Sequence, residues 1–325
     1  MIAFHRDAIM TLQTPLTRLL GIRYPIIQAG MSWASSNAEL AAAVSAAGGL
    51  GVVASGPMYP EALQAALRKL RSLTDAPYAV NIPLYNKRAR EHLDIAIAEG
   101  APIIIASQGG PREHLGRVHD AGMKWLQVIA SPVHAEKAQA AGVDGVIAVG
   151  LEAGGHPGPE EITTQVLLRA TVQRVDLPVV AAGGIADGAG IAAALCLGAA
   201  GAQLGTRFLL TPEAGVHAAY KAAVMGANIS DTTLVGRGRS PVRMLRNAFA
   251  QQYLTAERNG SDEELDALFA QSTLKQAALE GNVELGKVEA GQSAGLIDDL
   301  VPAGELMQRL VEETLVAIRR LSALG

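Results

Sequence analysis

The sequence has one cysteine, few aromatic residues, no excess of positive charge and no long hydrophobic run. The single cysteine among 325 residues, Cys196, excludes an intramolecular disulfide and a cysteine-based metal cluster, and it favours a reducing compartment. A net charge of −4 and an aromatic content of 4% argue against a nucleic-acid-binding surface. No apolar stretch reaches the ~18 residues that a membrane-spanning helix needs. We therefore expect neither a nucleic-acid partner nor insertion into a membrane.

Glycine and short β-branched segments are what the sequence has in excess. Glycine supplies 35 of the 325 residues, above its usual share of about 7%. Apolar segments with alanine-rich helical spacing between them recur through the first two thirds of the chain, and each predicts a strand. The predicted strands are 25–28, 50–54, 78–82, 103–106, 125–129, 145–149, 178–182 and 201–204. Cys196 falls in one of the helical runs, where it is expected to be a packing residue.

Strands that alternate with helices predict a parallel sheet with right-handed crossovers. Eight of them favour an α/β fold of the (β/α)8 or TIM-barrel type. The competing fold is an open doubly wound sheet, which normally shows a G-x-G-x-x-G turn after its first strand. The residues after the first predicted strand, AGMSW at 29–33, do not have that pattern. We therefore predict the barrel.

The pattern changes after about residue 226. Segments around 242–257, 262–279 and 303–324 are predicted to be helices with no strands between them. This divides the chain into a barrel at 1–226, a small helical subdomain over the barrel mouth at 227–300, and a final helix at 301–325 that returns to the barrel. Residues 1–10 lack the apolar core and cleavage site of a signal peptide. We expect a short extension there, with Met10 as a candidate start, and a cytoplasmic location.

Two glycine sites follow the last two predicted strands. Strand seven runs into Gly183 and Gly184, and strand eight into Gly205 and Thr206. Barrels often bind phosphate at this position through backbone N–H groups at helix N-termini. A glycine lets a phosphate approach the backbone, and the Thr206 hydroxyl adds a donor. Each site alone is compatible with a simple tight turn, but the two on adjacent strands predict a phosphate-bearing ligand.

His156 stands in the glycine- and proline-rich loop that follows the sixth predicted strand. This places it at the end of the barrel where catalytic groups lie, and an imidazole exchanges protons near neutral pH. We therefore predict a catalytic or substrate-contacting role for His156. No histidine or carboxylate has metal-ligand spacing. The histidines interpreted as structural or solvated are His5, His92, His114, His119, His134 and His217.

The exit of the first strand is the third candidate site. Ala29 and Gly30 are small enough for a flat ring to lie against the backbone, and Asn81 at the end of strand three offers an amide to it. Ordinary loop chemistry explains these residues equally well, and the sequence leaves both interpretations open.

Together these stretches resemble the nitronate monooxygenase family, formerly called 2-nitropropane dioxygenases, and equally the FMN-dependent enoyl-acyl-carrier-protein reductases of type II. The resemblance covers nearly the whole chain after Met10. The matching stretches are YPIIQAGM at 24–31, AAGGLG at 46–51, VNI at 80–82, EAGGHPG at 152–158, AGGIADG at 182–188, GTRF at 205–208 and GQSAGLI at 291–297.

This resemblance implies a noncovalently bound FMN at the barrel mouth. Gly183, Gly184, Gly205 and Thr206 would hold its phosphate, and His156 would face the substrate over the flavin. The remaining cofactor contacts that it implies are Ala29, Gly30, Met31, Asn81, Gln127 and Gly155.

The chain departs from the family pattern at two points. Many class I nitronate monooxygenases carry a lysine in the strand-five segment, where this chain has QVIAS at 127–131. Both groups tend to have an acidic residue before Gly150, where this chain has Val149. Conversely, Glu152 and Gln292 are shared with the reductases.

The predicted function is oxidation of alkyl nitronates by FMN and O2. The alternative is reduction of an enoyl thioester or a quinone by NAD(P)H through FMN, and a third hypothesis is a phosphate-binding barrel without flavin. The arginines Arg237, Arg239, Arg243 and Arg246 would either grip a ligand phosphate or form a solvated helix face. A small-molecule substrate is expected in each case, and a homodimer is left open.

Overall fold

In the computed structural model, which describes residues 12–324, eight parallel strands form one sheet in the order β1-β8-β7-β6-β5-β4-β3-β2. A parallel bridge between Ile27 and Leu50 joins β1 to β2, so the sheet closes into the predicted (β/α)8 barrel. Every predicted strand is present within one residue at each end. The strands are β1 (Ile26–Gln28), β2 (Gly51–Ala54), β3 (Tyr78–Pro83), β4 (Ile103–Ser107), β5 (Lys124–Ile129), β6 (Gly145–Val149), β7 (Val179–Ala182) and β8 (Gly201–Leu204).

Helices connect the strands and cover the barrel. They are α1 (Pro15–Leu20), α2 (Ala38–Ala46), α3 (Pro60–Leu73), α4 (Ala89–Ala98), α5 (Leu115–Asp120), α6 (Pro132–Ala141), α7 (Thr164–Val172), α8 (Gly188–Cys196), α9 (Thr206–Leu209), α10 (Ala218–Met225), α11 (Ala248–Asn259), α12 (Asp262–Gln271), α13 (Leu274–Ala278) and α14 (Ala303–Ser322). The Asn37 side chain accepts from the Leu40 N–H and caps α2. No helix among the described residues is long and apolar enough to cross a membrane. His5 and the predicted N-terminal extension lie outside the described residues.

Helix α1 closes the bottom of the barrel. Leu16 and Leu20 are buried in the same apolar cluster as the inward-facing residues of the strands, such as Ile147. A Cβ at Gly201 would lie 2.4 Å from the Leu16 side chain, so β8 has room there only for glycine. The bottom is therefore filled by side chains, and a ligand can enter only from the opposite end, where the strands terminate.

The segment after the barrel is not purely helical, which corrects the sequence prediction. Strands β9 (Thr232–Val235) and β10 (Val242–Leu245) form an antiparallel hairpin, and the helix predicted from residue 242 begins only at Ala248, after the Asn247 cap. Val235 and Val242 face each other in this hairpin and share a small core with Tyr253 of α11. Apolar side chains alternate along β10 and pack against α11. This alternation is the pattern of a strand with one buried face, which explains why a strand forms there.

The last helix, α14, packs on the outside of the barrel. Leu306 and Leu310 are buried against the barrel helices in the main core cluster. A Cβ at Gly188 would lie 2.3 Å from the Thr314 N atom, so α8 and α14 approach at backbone distance. Cys196, at the end of α8, is exposed rather than packed as predicted.

Candidate functional site

His156 lies in the loop between β6 and α7, and this loop is fixed on both sides of it. Gly155 and Arg243 form an antiparallel bridge with N···O distances of 3.0 and 2.7 Å. The Glu152 carboxylate accepts from the N–H and the hydroxyl of Thr164, both at 2.8 Å. The hairpin and α7 therefore hold the backbone around His156 at a defined place over the barrel mouth.

The Arg243 side chain strengthens this arrangement. It is buried and donates from Nε to the Leu151 carbonyl at 2.8 Å and from Nη1 to Thr232 Oγ1 at 3.1 Å. A Cβ at Gly154 would lie 2.6 Å from the carbonyl carbon of Ala290, so the loop also packs directly on the chain before the last helix. Glycine at 154 is required by this close approach.

The His156 side chain is exposed into a cavity of about 280 Å³. Burial among the surrounding residues lowers its pKa below the usual range, and the charge of Lys287 lowers it further. The imidazole is therefore neutral at neutral pH and competent to accept a proton. The residues lining the cavity are His156, Val242, Phe269, Ala270, Ser272, Thr273, Leu274, Lys287 and Glu289.

The two glycine sites after β7 and β8 expose unpaired backbone donors. Gly183 and Gly184 have φ values of +105° and +73°. Within residues 12–324 the N–H groups of Gly183, Gly184, Gly205 and Thr206 have no hydrogen-bond acceptor. The Thr206 hydroxyl accepts from the Gly291 N–H at 2.9 Å, which leaves its own hydrogen free to donate. Free N–H groups gathered in successive turns are the type of arrangement that can bind an anion.

The first turn of α8 does not belong to this arrangement. The Gly188 N–H donates to Glu313 at 2.8 Å, and the Gly190 N–H donates to Asp187 at 2.8 Å. A phosphate at the start of this helix would have to displace these carboxylates. The available donors are therefore in the turn before α8 rather than at its N-terminus, which modifies the sequence prediction.

The exit of β1 lies beside these donors. A Cβ placed on Gly205 would be 3.6 Å from both the Ala29 Cβ and the Met31 Sδ, so the three residues adjoin. A Cβ at Gly30 would lie 2.4 Å from the Asn81 Cβ. The structure thus brings the predicted small-residue surface and Asn81 together at the barrel mouth.

A buried glutamine offers a further polar group at this end of the barrel. Gln203 lies on β8 two residues after Gly201, which faces inward, so Gln203 also points into the barrel. Its Oε1 atom is buried and has no hydrogen-bond partner. Val149 of β6 packs against the inward-facing cluster from a neighbouring position. Buried polar atoms are rarely left unpaired, so the Gln203 Oε1 is a marker of a ligand-binding surface.

Gln127 does not face the barrel mouth, which corrects its prediction as a cofactor contact. Leu126 and Val128 pack on the inward-facing cluster, so the residue between them points outward. The Gln127 side chain accepts from Trp125 Nε1 at 3.1 Å and donates to the Gly109 carbonyl at 3.1 Å. Its polar atoms are already paired within the protein.

Lys287 and Glu289 are site residues that the sequence analysis missed. The Lys287 ammonium lies 3.3 Å from the centroid of the Phe269 ring, and burial lowers its pKa to about 8. Burial raises the pKa of Glu289 to about 7, and the Lys287 charge partly opposes this. Both line the same cavity as His156. The sequence signal for this part of the cavity is a pair of charged residues separated by one apolar residue, shortly before Gly291.

Three of the four arginines singled out in the sequence have partners within the protein. Arg237 pairs with Glu161 at 2.7 Å, and Arg239 pairs with Asp262 at 2.9 Å. Arg243 holds the His156 loop, as described above. These three side chains are engaged within the protein, and they lie in the hairpin and its turn rather than on a helix face.

The other histidines in residues 12–324 lie outside the cavity. His92 is buried in α4, His119 Nε2 contacts Asp144 at 2.9 Å, and His217 caps α10. In the part of the chain that the structure describes, no three histidine, cysteine, aspartate or glutamate side chains are grouped to hold a metal ion.

Comparison with known proteins gives consistent matches over nearly the whole chain. A dehydrogenase of an octahydroindene-carboxyl-CoA from Mycobacterium tuberculosis is 35% identical over 97% of this chain and 99% of its own. A nitronate monooxygenase from Pseudomonas aeruginosa is 38% identical over 91% of this chain and 98% of its own. The structure of FabK from Thermotoga maritima superposes with a TM-score of 0.92 at 40% identity, covering 97% of this chain and all of that one. The family model for nitronate monooxygenase matches residues 13–313. The chain belongs to the nitronate monooxygenase family and is a flavin-dependent oxidoreductase.

Proposed function

We propose that this protein is an FMN-dependent nitronate monooxygenase that oxidises alkyl nitronates with O2. The observation that carries the proposal is the position of His156, a neutral imidazole fixed over the barrel mouth and open to a cavity. The 38% identity to the nitronate monooxygenase of Pseudomonas aeruginosa supports the same reaction.

The residues at the barrel mouth fit FMN on three counts. The free N–H groups at Gly183, Gly184, Gly205 and Thr206 match a phosphate, which accepts several hydrogen bonds at once. Ala29 and Gly30 have no bulky side chain to oppose a flat ring, and the flexible Met31 side chain adjoins Gly205. The unpaired Gln203 Oε1 offers an acceptor to a ring N–H group. The Asn81 side chain lies against Gly30 at the same end of the barrel.

In this proposal FMN, when bound, supplies the transfer of electrons from substrate to O2. His156 accepts the proton from the carbon next to the nitro group of a neutral nitroalkane and so produces the nitronate. The Arg243 bridge and the Glu152 contacts keep the imidazole in place during this step. Lys287 faces the same cavity, and its positive charge favours the anionic nitronate over the neutral acid.

A second candidate is an NAD(P)H-dependent reductase of an enoyl thioester or a quinone. The observation that favours it is the 40% identity to FabK with a TM-score of 0.92, together with the CoA compound named for the Mycobacterium tuberculosis relative. In this reaction NAD(P)H rather than O2 is the co-substrate. The sequence has no nucleotide-binding fingerprint, and this absence favours neither reaction.

The deciding experiment is anaerobic stopped-flow mixing of the oxidised protein. One syringe contains propyl-2-nitronate, and in a second run it contains NADH or NADPH. Rapid bleaching of the flavin absorbance near 450 nm by the nitronate and slow bleaching by both nucleotides would support the monooxygenase. Fast reduction by a nucleotide, followed by reoxidation with an enoyl-CoA rather than O2, would establish the reductase instead. A purified protein that is colourless and does not take up FMN would refute both.

Three further assignments belong to this proposal. We place the enzyme in the cytoplasm, treat residues 227–300 as its substrate-binding subdomain, and leave a homodimer as an assembly to be tested by light scattering. The cavity beside His156 is lined mainly from that subdomain, which supports its role in substrate binding.

A further inference from the structure

The cavity beside His156 contains a carboxyl group that the proposed reaction does not use. Glu289 Oε2 lies 3.2 Å from the position that a Cβ on Gly155 would occupy, so this carboxyl group rests against the residue before His156. Glu289, His156 and Lys287 all line one space of about 280 Å³. A ligand that fills this space meets all three side chains.

The protein holds the backbone of Glu289 firmly but leaves its carboxyl group without a partner. The Tyr220 hydroxyl donates to the Glu289 carbonyl at 2.7 Å, and the neighbouring Val288 carbonyl accepts from the Leu245 N–H at 2.9 Å. Within residues 12–324 no hydrogen bond or ion pair within 4.0 Å reaches the carboxyl oxygens. A partly buried carboxyl group that no protein donor satisfies is an expected contact of a ligand.

The groups around Glu289 decide its charge. Lys287 is on the same segment, but its ammonium donates to the Phe269 carbonyl at 3.0 Å and lies over the Phe269 ring. His156 faces Glu289 from the loop after β6 and is neutral, while Tyr220 of α10 is kept protonated by burial, which raises its pKa well above the usual range. Arg243 of β10 points away, toward the Leu151 carbonyl. No cation of the described residues therefore pairs with Glu289, and burial brings its pKa to about 7.

We propose that Glu289 contacts the bound substrate beside His156, and that an anionic substrate binds only when the Glu289 carboxyl group carries a proton. Two negative groups in one small cavity repel each other. A protonated carboxyl group has no charge and can donate a hydrogen bond to the anion. The inference rests on the proposed nitronate substrate and makes Glu289 the residue that selects the substrate's charge.

The consequence is a coupling between anion binding and pH. With a pKa of about 7, the protonated fraction of Glu289 falls about tenfold between pH 6 and pH 8, and the dissociation constant of an anion rises by about the same factor. Lys287 also titrates near this range, and loss of the Glu289 charge lowers the pKa of Lys287 in the variant. This weakens anion binding by the variant at pH 8, so it makes the rise of the ratio of parent to variant dissociation constants smaller, not larger. A rise of that ratio from pH 6 to pH 8 therefore reports on Glu289.

The test is calorimetric titration of the FMN-loaded protein with isobutyrate, an unreactive anion of the size of propyl-2-nitronate. The parent, Glu289→Gln and the control Glu284→Gln are compared at pH 6 and pH 8. Glu284 is an exposed glutamate on the same segment, so its substitution makes the same change of charge outside the cavity. We expect the ratio of parent to Glu289→Gln dissociation constants to rise several-fold, by at most about tenfold, from pH 6 to pH 8, and the control ratio to stay constant.

The parent provides a second measurement that needs no variant. Titration at pH 8 in two buffers with different ionisation enthalpies should show uptake of about one proton per bound anion. A ratio that does not change with pH, binding without proton uptake, or no binding of isobutyrate at pH 6 would each overturn the role of Glu289. None of these results depends on turnover, so they are distinguishable from failure of the monooxygenase proposal, which is judged by flavin bleaching.

Discussion

Substitution of His156 by alanine should remove turnover while leaving the fold and the flavin in place. The structure gives the reason for both halves of this prediction. The His156 ring makes no hydrogen bond within residues 12–324 and is exposed to the cavity, so its removal should change the free energy of unfolding by no more than about 0.5 kcal/mol. Loss of a positioned base should lower kcat by ~10²- to 10⁴-fold, or about 3 to 5 kcal/mol of activation free energy.

The assay measures three quantities on the same preparation. These are the flavin content from the absorbance near 450 nm, the urea midpoint of unfolding, and kcat with a neutral nitroalkane, which requires deprotonation by the enzyme. His134→Ala is the matched control, because His134 is an exposed histidine on α6 outside the cavity. A His156→Ala protein that keeps full activity would refute the proton-transfer role, and one that loses its flavin would reassign the loop to cofactor binding.

The pH profile provides an independent check of the same step. Burial and the Lys287 charge lower the pKa of His156 from its ordinary value of about 6.5. A base must be unprotonated to act, so kcat/KM for a nitroalkane should be constant near neutral pH and fall only below 6.5. A preformed nitronate does not need this proton transfer, and its acid limb should not follow the same pKa.

Three further substitutions test the elements that build the site. Gly184→Ala should weaken FMN binding by at least tenfold in equilibrium dialysis, because alanine is strained at a φ of +73° and its Cβ would lie 3.2 Å from the Glu152 side chain. Arg243→Met should lower the free energy of unfolding by about 2 to 4 kcal/mol in urea and reduce kcat together with it, since two buried acceptors lose their donor. Leu16→Ala should cost about 2 to 5 kcal/mol in the same assay but leave KM unchanged, because the plug at the barrel bottom is remote from the cavity.

The barrel and its glycine turns were predictable from the sequence because their signals are local. Each strand is a short β-branched segment that ends at a loop, and the glycines follow β7 and β8 directly. The hairpin was missed although Gly236 and Gly238, both at positive φ, mark its turn. Its second strand, β10, has four residues, and α11 begins shortly after it. The spacing of apolar residues in α11 continues back into β10, so the sequence there resembles a longer helix.

The orientation of Gln127 could have been derived from the same strand pattern that identified β5. Apolar residues stand on both sides of it and face inward, so a period of two turns Gln127 to the outer face. The resemblance to the family instead implies a cofactor contact at this position. Lys287 and Glu289 are different, because charged residues in a loop normally face solvent, and only the packing of α10, β10 and α12 around them buries the segment.

The division of the site between barrel and subdomain bears on which reaction the family fold performs here. The groups proposed to hold FMN come from turns at the ends of the barrel strands, and their geometry follows from the barrel itself. The cavity proposed to receive the substrate is lined, apart from His156, by residues between Val242 and Glu289. Relatives with similar barrels are named for nitronates and for a CoA compound. Differences in reaction within the family should therefore be sought in residues such as Lys287 and Glu289, which determine the charge that a substrate can carry, rather than in the glycine turns.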